Sequence, residues 1–257
     1  MRLIQARLFH NGNWTLGDSS QTPVTVARTI ASLHPSFVTG LLRIIDHGAL
    51  SHSEEEAFST VRAAVQASSK RCRFDVVLNA GEERSGDLIV RHMKEITTRI
   101  HPDAWTLYIA PDDTTVNPEV FEQGIAYAHA AGQMVGYDGP LSLVPEGIDY
   151  LVIRAWDLKV SRHQIDLLKS SKRIPLIVEL PTTFGTQTSP EVVSYVDELS
   201  TQDRAASLTA LAENQSAWGY RFAYPVFYPL GPAKHAFDAT KDPILMVTIR
   251  SLLARYN

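Results

Sequence analysis

A single cysteine, Cys72, occurs in 257 residues. One thiol excludes an internal disulfide and any metal site built from several cysteines. Long apolar runs are missing too, all falling well short of the ~20 residues a membrane helix needs. There is no excess of basic charge: Lys and Arg number 24 against 28 Asp and Glu, a net charge of -4. No basic stripe alternates with aromatics, so nucleic acid is not an expected partner. The opening "MRLIQARLFH" lacks the apolar region and small-residue cleavage site of a signal peptide. It reads as a first strand, and the expected location is cytoplasmic. No Gly-rich turn follows that strand, as a dinucleotide fold would require, and no Gly-x-Ser-x-Gly elbow marks a serine nucleophile.

What is present is an alternation. At 44% hydrophobic the chain can bury a full core. Short apolar or β-branched runs at 2–9, 36–44, 73–80, 104–110, 133–138, 148–155, 174–180 and 221–228 are bounded by Gly, Pro or Asp. Helical patterns separate most of them. Four begin with a polar residue followed by proline: Thr22-Pro23, Asn117-Pro118, Ser189-Pro190 and Asp242-Pro243. The polar side chain can cap the helix, and proline in the first turn loses no hydrogen bond. Further helices are expected over 53–69, 86–100 and 201–218. The stretch 139–147 between strands five and six has room for only a short turn. "SLHPSFV" and "RIHPDAW" place His34-Pro35 and His101-Pro102 between a helix end and the next strand. Proline ends the helix there, which explains both histidines structurally. Cys72, between Arg71 and Arg73, could have a lowered thiol pKa, but a plain surface or half-buried cysteine is the expectation. One (β/α)8 barrel covering residues 1–257 accounts for the pattern, ahead of an open doubly wound sheet.

In such a barrel the functional groups gather at the C-terminal strand ends. Those ends supply His10; Arg43, Asp46 and His47; Asn79, Glu82 and Glu83; Asp112 and Asp113; Tyr137 and Asp138; Arg154 and Trp156; Glu179; and Tyr224. Carboxylates mix with aromatics, Arg, Asn and His, a set suited to a small polar or carbohydrate ligand. Glu179 is the most specific of them. In "RIPLIVELPTTFG" it interrupts an apolar run one residue before Pro181, where the chain would leave the strand.

Asp112 and Glu179 would stand across the mouth from one another. Two carboxyls so placed can serve as general acid and as nucleophile or base in glycoside hydrolysis. With Glu179 ending strand seven, the chain resembles the clan of glycoside-hydrolase barrels whose catalytic pair is a Glu after strand four and a Glu ending strand seven. "IAPDD" stands where that clan carries Asn-Glu, so the resemblance rests on Glu179 and the barrel architecture. It implies Glu179 as nucleophile or base and Asp112, or Glu82, as acid. His10, Arg43, Asn79, Tyr137, Asp138, Arg154, Trp156 and Tyr224 would then bind substrate.

Other readings of the same ring stay open. A metal-dependent sugar isomerase or lyase would hold a divalent ion on Asp46, His47, Glu82, Asp112, Asp138 and Glu179, although no tight ligand spacing occurs and no metal or cofactor is expected. Gly185, Gly231 and Lys234 in the last two loops could meet a phosphate, without a Gly cluster to cradle it. A barrel that binds a small ligand or a partner without turnover would use Glu179 as a structural carboxylate paired with Arg154 or Arg43.

Overall fold

Helix starts are written into the chain as local hydrogen bonds. In the computed structural model, Thr22 Oγ1 accepts from Thr25 N–H at the start of α1 (Pro23–Ser32). Ser51 and Glu54 form a reciprocal capping box at α2 (His52–Ser68). Asn117 Oδ1 accepts from Glu119 N–H, opening a 3₁₀ turn (Pro118–Phe121) that runs into α4 (Glu122–Ala130). Asp242 Oδ1 accepts from the amides of Ile244 and Leu245 at α5 (Pro243–Arg255). The remaining long helix, α3 (Gly86–Ile100), starts without a side-chain cap. The structure describes residues 3–5, 7–8, 14–15, 22–39, 43–44, 50–80, 85–109, 116–154, 176–181, 223–228 and 242–255, with 202, 205, 206 and 209. The helix expected at Ser189-Pro190 lies outside them, as does most of 201–218.

Every expected strand position carries a strand. They are β1 (Leu3–Gln5), β4 (Phe37–Thr39) with β5 (Arg43–Ile44), β6 (Arg73–Asn79), β7 (Ala104–Tyr108), β8 (Met134–Asp138), β9 (Tyr150–Arg154), β10 (Leu176–Pro181) and β11 (Ala223–Tyr228). The 36–44 run is thus two short strands, both paired with β6. A separate antiparallel pair joins β2 (Arg7–Leu8) to β3 (Trp14–Thr15). The other nine strands form one parallel sheet in the order β4-β1-β11-β10-β9-β8-β7-β6-β5, with β4 also paired to β6. Between β8 and β9 a three-residue 3₁₀ turn (Leu141–Leu143) replaces a helix, as the length of the segment requires.

The sheet is curled. Phe37 of β4 and Tyr150 of β9 pack edge to face with ring centroids 5.9 Å apart, although three strands separate them in the sheet order. Side-chain alternation divides the buried residues into two layers. Phe74, Val76 and Leu78 of β6 and Trp105 and Leu107 of β7 join Val26, Ile30, Phe58, Val61, Ile89 and Met93 of the helices. Phe37, Ala104, Tyr150 and Val152 form a second cluster inside the curl. There Thr106 Oγ1 contacts Asp75 Oδ2 at 2.7 Å and the Tyr150 hydroxyl at 2.9 Å, while Tyr150 donates to Trp105 O. A Cβ on Gly136 would lie 2.0 Å from the Tyr150 ring, so this glycine makes room for the interior tyrosine.

The joints at the strand entrances refine two expectations. His34 and His101 take left-handed backbone, φ 49° and 46°, rather than the extended conformation usual before proline. His101 N–H bonds Thr97 O, so the residue closes α3 itself. Nearby, Arg62 of α2 makes a two-pronged contact with both carboxylate oxygens of Asp103 at 3.1 Å. It also donates to the carbonyls of Ile100 and His101. Asp103 in turn accepts from Phe74 N–H, tying α2, the end of α3 and β6 together. Cys72, expected at the surface or half-buried, is instead fully buried at 3% exposure. Burial, then the negative charge of Asp103, pushes its thiol up to about 12 against a smaller opposing effect of Arg62.

Candidate functional site

The C-terminal ends of the strands follow one another around the curl. Asn79 of β6 is in register with Tyr108 of β7, and Tyr108 with Asp138 of β8. Backbone bonds just beyond this row, Ala80 N–H to Tyr108 O and Ile109 N–H to Asp138 O, hold the three ends level. All three residues are half-buried. On the next two strands Arg154 of β9 is in register with Glu179 of β10, and Glu179 with Val226 of β11. Four consecutive strands therefore end in Asn, Tyr, Asp and Arg, and the fifth carries Glu179 two residues before its end at Pro181.

Register also places two of the expected binding residues lower. Arg43 of β5 pairs with Val77, two residues before Asn79, and Tyr224 pairs with Ile177, two residues before Glu179. Both belong to the layer beneath the rim. Tyr137 is placed elsewhere. Its ring is fully buried in the helix-side core, 6.2 Å from Phe121, and its hydroxyl donates to Pro140 O. Burial and the adjacent Asp138 raise its phenol above the ordinary range. Strand alternation explains the correction: Gly136 and Asp138 face the interior, so Tyr137 between them faces the helices. His10, Glu82, Asp112 and Trp156 lie outside the described residues, as do Asp46, His47, Gly185, Gly231 and Lys234. Among the described residues no group of three or more His, Cys, Asp or Glu side chains could hold a metal ion.

Two features were not drawn from the sequence. Tyr108 occupies the centre of the Asn79–Asp138 row, and the alternation of "AWTLY" was the available signal, since Trp105 and Leu107 take the opposite face. The interior Asp75–Thr106–Tyr150 group had no such signal, because its members come from three strands. Chemically, the rim combines an amide, a phenol and a carboxylate with an Arg–Glu pair of positions. Such a set can hydrogen-bond a polyhydroxylated ligand and supply a carboxylate to it.

No protein-family model matches the sequence, and no curated protein sequence matches it either. Solved structures do. A chitinase from Chromobacterium violaceum superposes with a TM-score of 0.60 at 10% identity, over 99% of this chain and 99% of that one. The fold is TIM-barrel-like. A chitinase-like agglutinin from Robinia pseudoacacia matches with a TM-score of 0.59 at 11% identity, over 97% of this chain and 99% of the agglutinin. The thiamine phosphate pyrophosphorylase of Pyrococcus furiosus matches at 0.50 and 14% identity, over 99% and 96%. Identities this low establish shared architecture, and architecture of this type carries many chemistries.

Proposed function

We propose that the chain is one domain over residues 1–257, closing as a complete (β/α)8 barrel that acts as a glycosidase-like hydrolase on a small sugar or glycoside. The observation that carries this reading is the place of Glu179 in β10, in register between Arg154 and Val226 and two residues before the strand ends. Asp112 after strand four is the acid partner, with Glu82 as the other candidate. Asn79, Tyr108, Asp138 and Arg154 bind substrate hydroxyls from the rim, together with His10 and Trp156. The chitinase likeness supports a carbohydrate ligand for a site at this end of the fold.

A second reading is favoured by the same register. Arg154 and Glu179 can form a fixed ion pair that shapes a binding site without turning a substrate over, and a chitinase-like agglutinin has the same architecture. The two readings separate in one experiment. Wild type, Glu179→Gln and Asp112→Asn are assayed on a panel of aryl glycosides and titrated with chito-oligosaccharides. Hydrolysis reduced by about 10³-fold or more in Glu179→Gln, at unchanged oligosaccharide affinity, supports the enzyme. Binding without turnover in wild type supports the lectin-like reading. Full turnover in Glu179→Gln removes that residue from the mechanism.

A further inference from the structure

At the opposite end of the sheet from Asn79, Tyr108 and Asp138, where helices feed the strands, lies a cavity. It has a volume of about 460 Å³ and is lined by the start of β6, the α3–β7 joint and the α4–β8 joint. Most of its polar groups are already engaged. Arg62 spends its guanidinium on both oxygens of Asp103 and on the carbonyls of Ile100 and His101. Asp103 is satisfied by Arg62 and Phe74 N–H. Gln133 accepts from the Trp105 indole through its oxygen and donates to Pro102 O through its nitrogen. The α3 carbonyls, which would otherwise make the floor electronegative, are therefore covered by a cation.

Arg73 is different. It is exposed at the cavity wall, and among the described residues its guanidinium is directed at the thioether of Met134. A thioether is a weak acceptor that leaves most of the five guanidinium N–H groups unused. His101, exposed and held in a left-handed backbone conformation, lines the same cavity. Gly132 lines the other wall, its φ of 71° being the left-handed conformation that favours glycine. Two guanidinium charges face one carboxylate here, in a chain whose net charge is -4.

We propose that this strand-entrance cavity binds a small oxyanion, a phosphate or carboxylate group of a metabolite, on the Arg73 guanidinium with His101 as a second donor. The guanidinium fork matches two oxygens of either group. The cavity is large enough for the rest of a small ligand. The site is independent of the mouth and of any reaction there.

Isothermal titration of the full chain with inorganic phosphate and with succinate, at ionic strength held constant with chloride, tests it. Saturable binding of at least one probe is expected, and which one binds assigns the oxyanion. Arg73→Gln should weaken it by about tenfold or more. His101→Asn, which tolerates the left-handed backbone, should weaken it several-fold. Arg73→Lys keeps the charge without the fork, folds as a conservative change, and should lose part of the affinity. No binding of either probe up to about 10 mM, or binding unchanged in both Arg73 variants, overturns the proposal.

Discussion

Cys72 and Tyr137 show how one side chain's environment overrides what its sequence neighbours suggest. Two flanking arginines would lower a thiol pKa at the surface, yet burial takes the Cys72 thiol from its ordinary 9.0 to about 12. At pH 8 the thiolate fraction is then smaller by about a thousandfold than for a free thiol. Iodoacetamide labelling of the native protein should therefore be slow at pH 8 and become fast only in denaturant. Ready labelling of the folded chain would refute the buried placement. The sign of the linked pH effect follows. Below pH 9 both folded and unfolded thiols are protonated, and nothing changes. Between 9 and about 12 the unfolded state alone loses its proton, so stability falls as pH rises, by up to about 1.4 kcal/mol per unit. Cys72→Ala should lack this component in urea titrations run across that range.

Among elements, β8 is constrained on both faces. Gly136 faces the interior with the Tyr150 ring against its backbone, while Tyr137 faces the helices. Gly136→Ala should destabilise by about 1–3 kcal/mol through overpacking, as measured by urea unfolding. The cost should shrink when Tyr150 is first replaced by Leu, because the ring that meets the new Cβ is gone. Additive effects in this double-mutant cycle would disprove the contact. Three Pro-marked helix starts were legible from sequence because a cap needs only residues two or three apart: Thr22, Asn117 and Asp242 each bond an amide within their own first turn; the Ser51 capping box was not drawn from the sequence. The rim row was less legible. Its level depends on parallel register, which is set by strands from distant parts of the chain.

For the whole molecule, the pairing of β1 with β11 and of β4 with β6 links the first strands to both the last strand and the middle of the chain. The single domain proposed above would have no natural seam at these pairings. Thermal unfolding should give a single transition seen alike by far-UV and near-UV circular dichroism. Two separated transitions would argue against one domain. No helix among the described residues is long and apolar enough to cross a membrane.

Eight strand positions, the helix starts at Thr22, Asn117 and Asp242 and the short turn between β8 and β9 were determined by the sequence alone, because periodicity, capping and segment length are local properties. The position of Glu179 near a strand end was determined the same way. Its neighbours were not. That Arg154 and Val226 flank it, that Tyr108 lies between Asn79 and Asp138, and that Tyr137 turns toward Phe121 were decided by tertiary structure. Sheet register and curl are collective, and a one-residue shift moves every side chain of a strand to the other face.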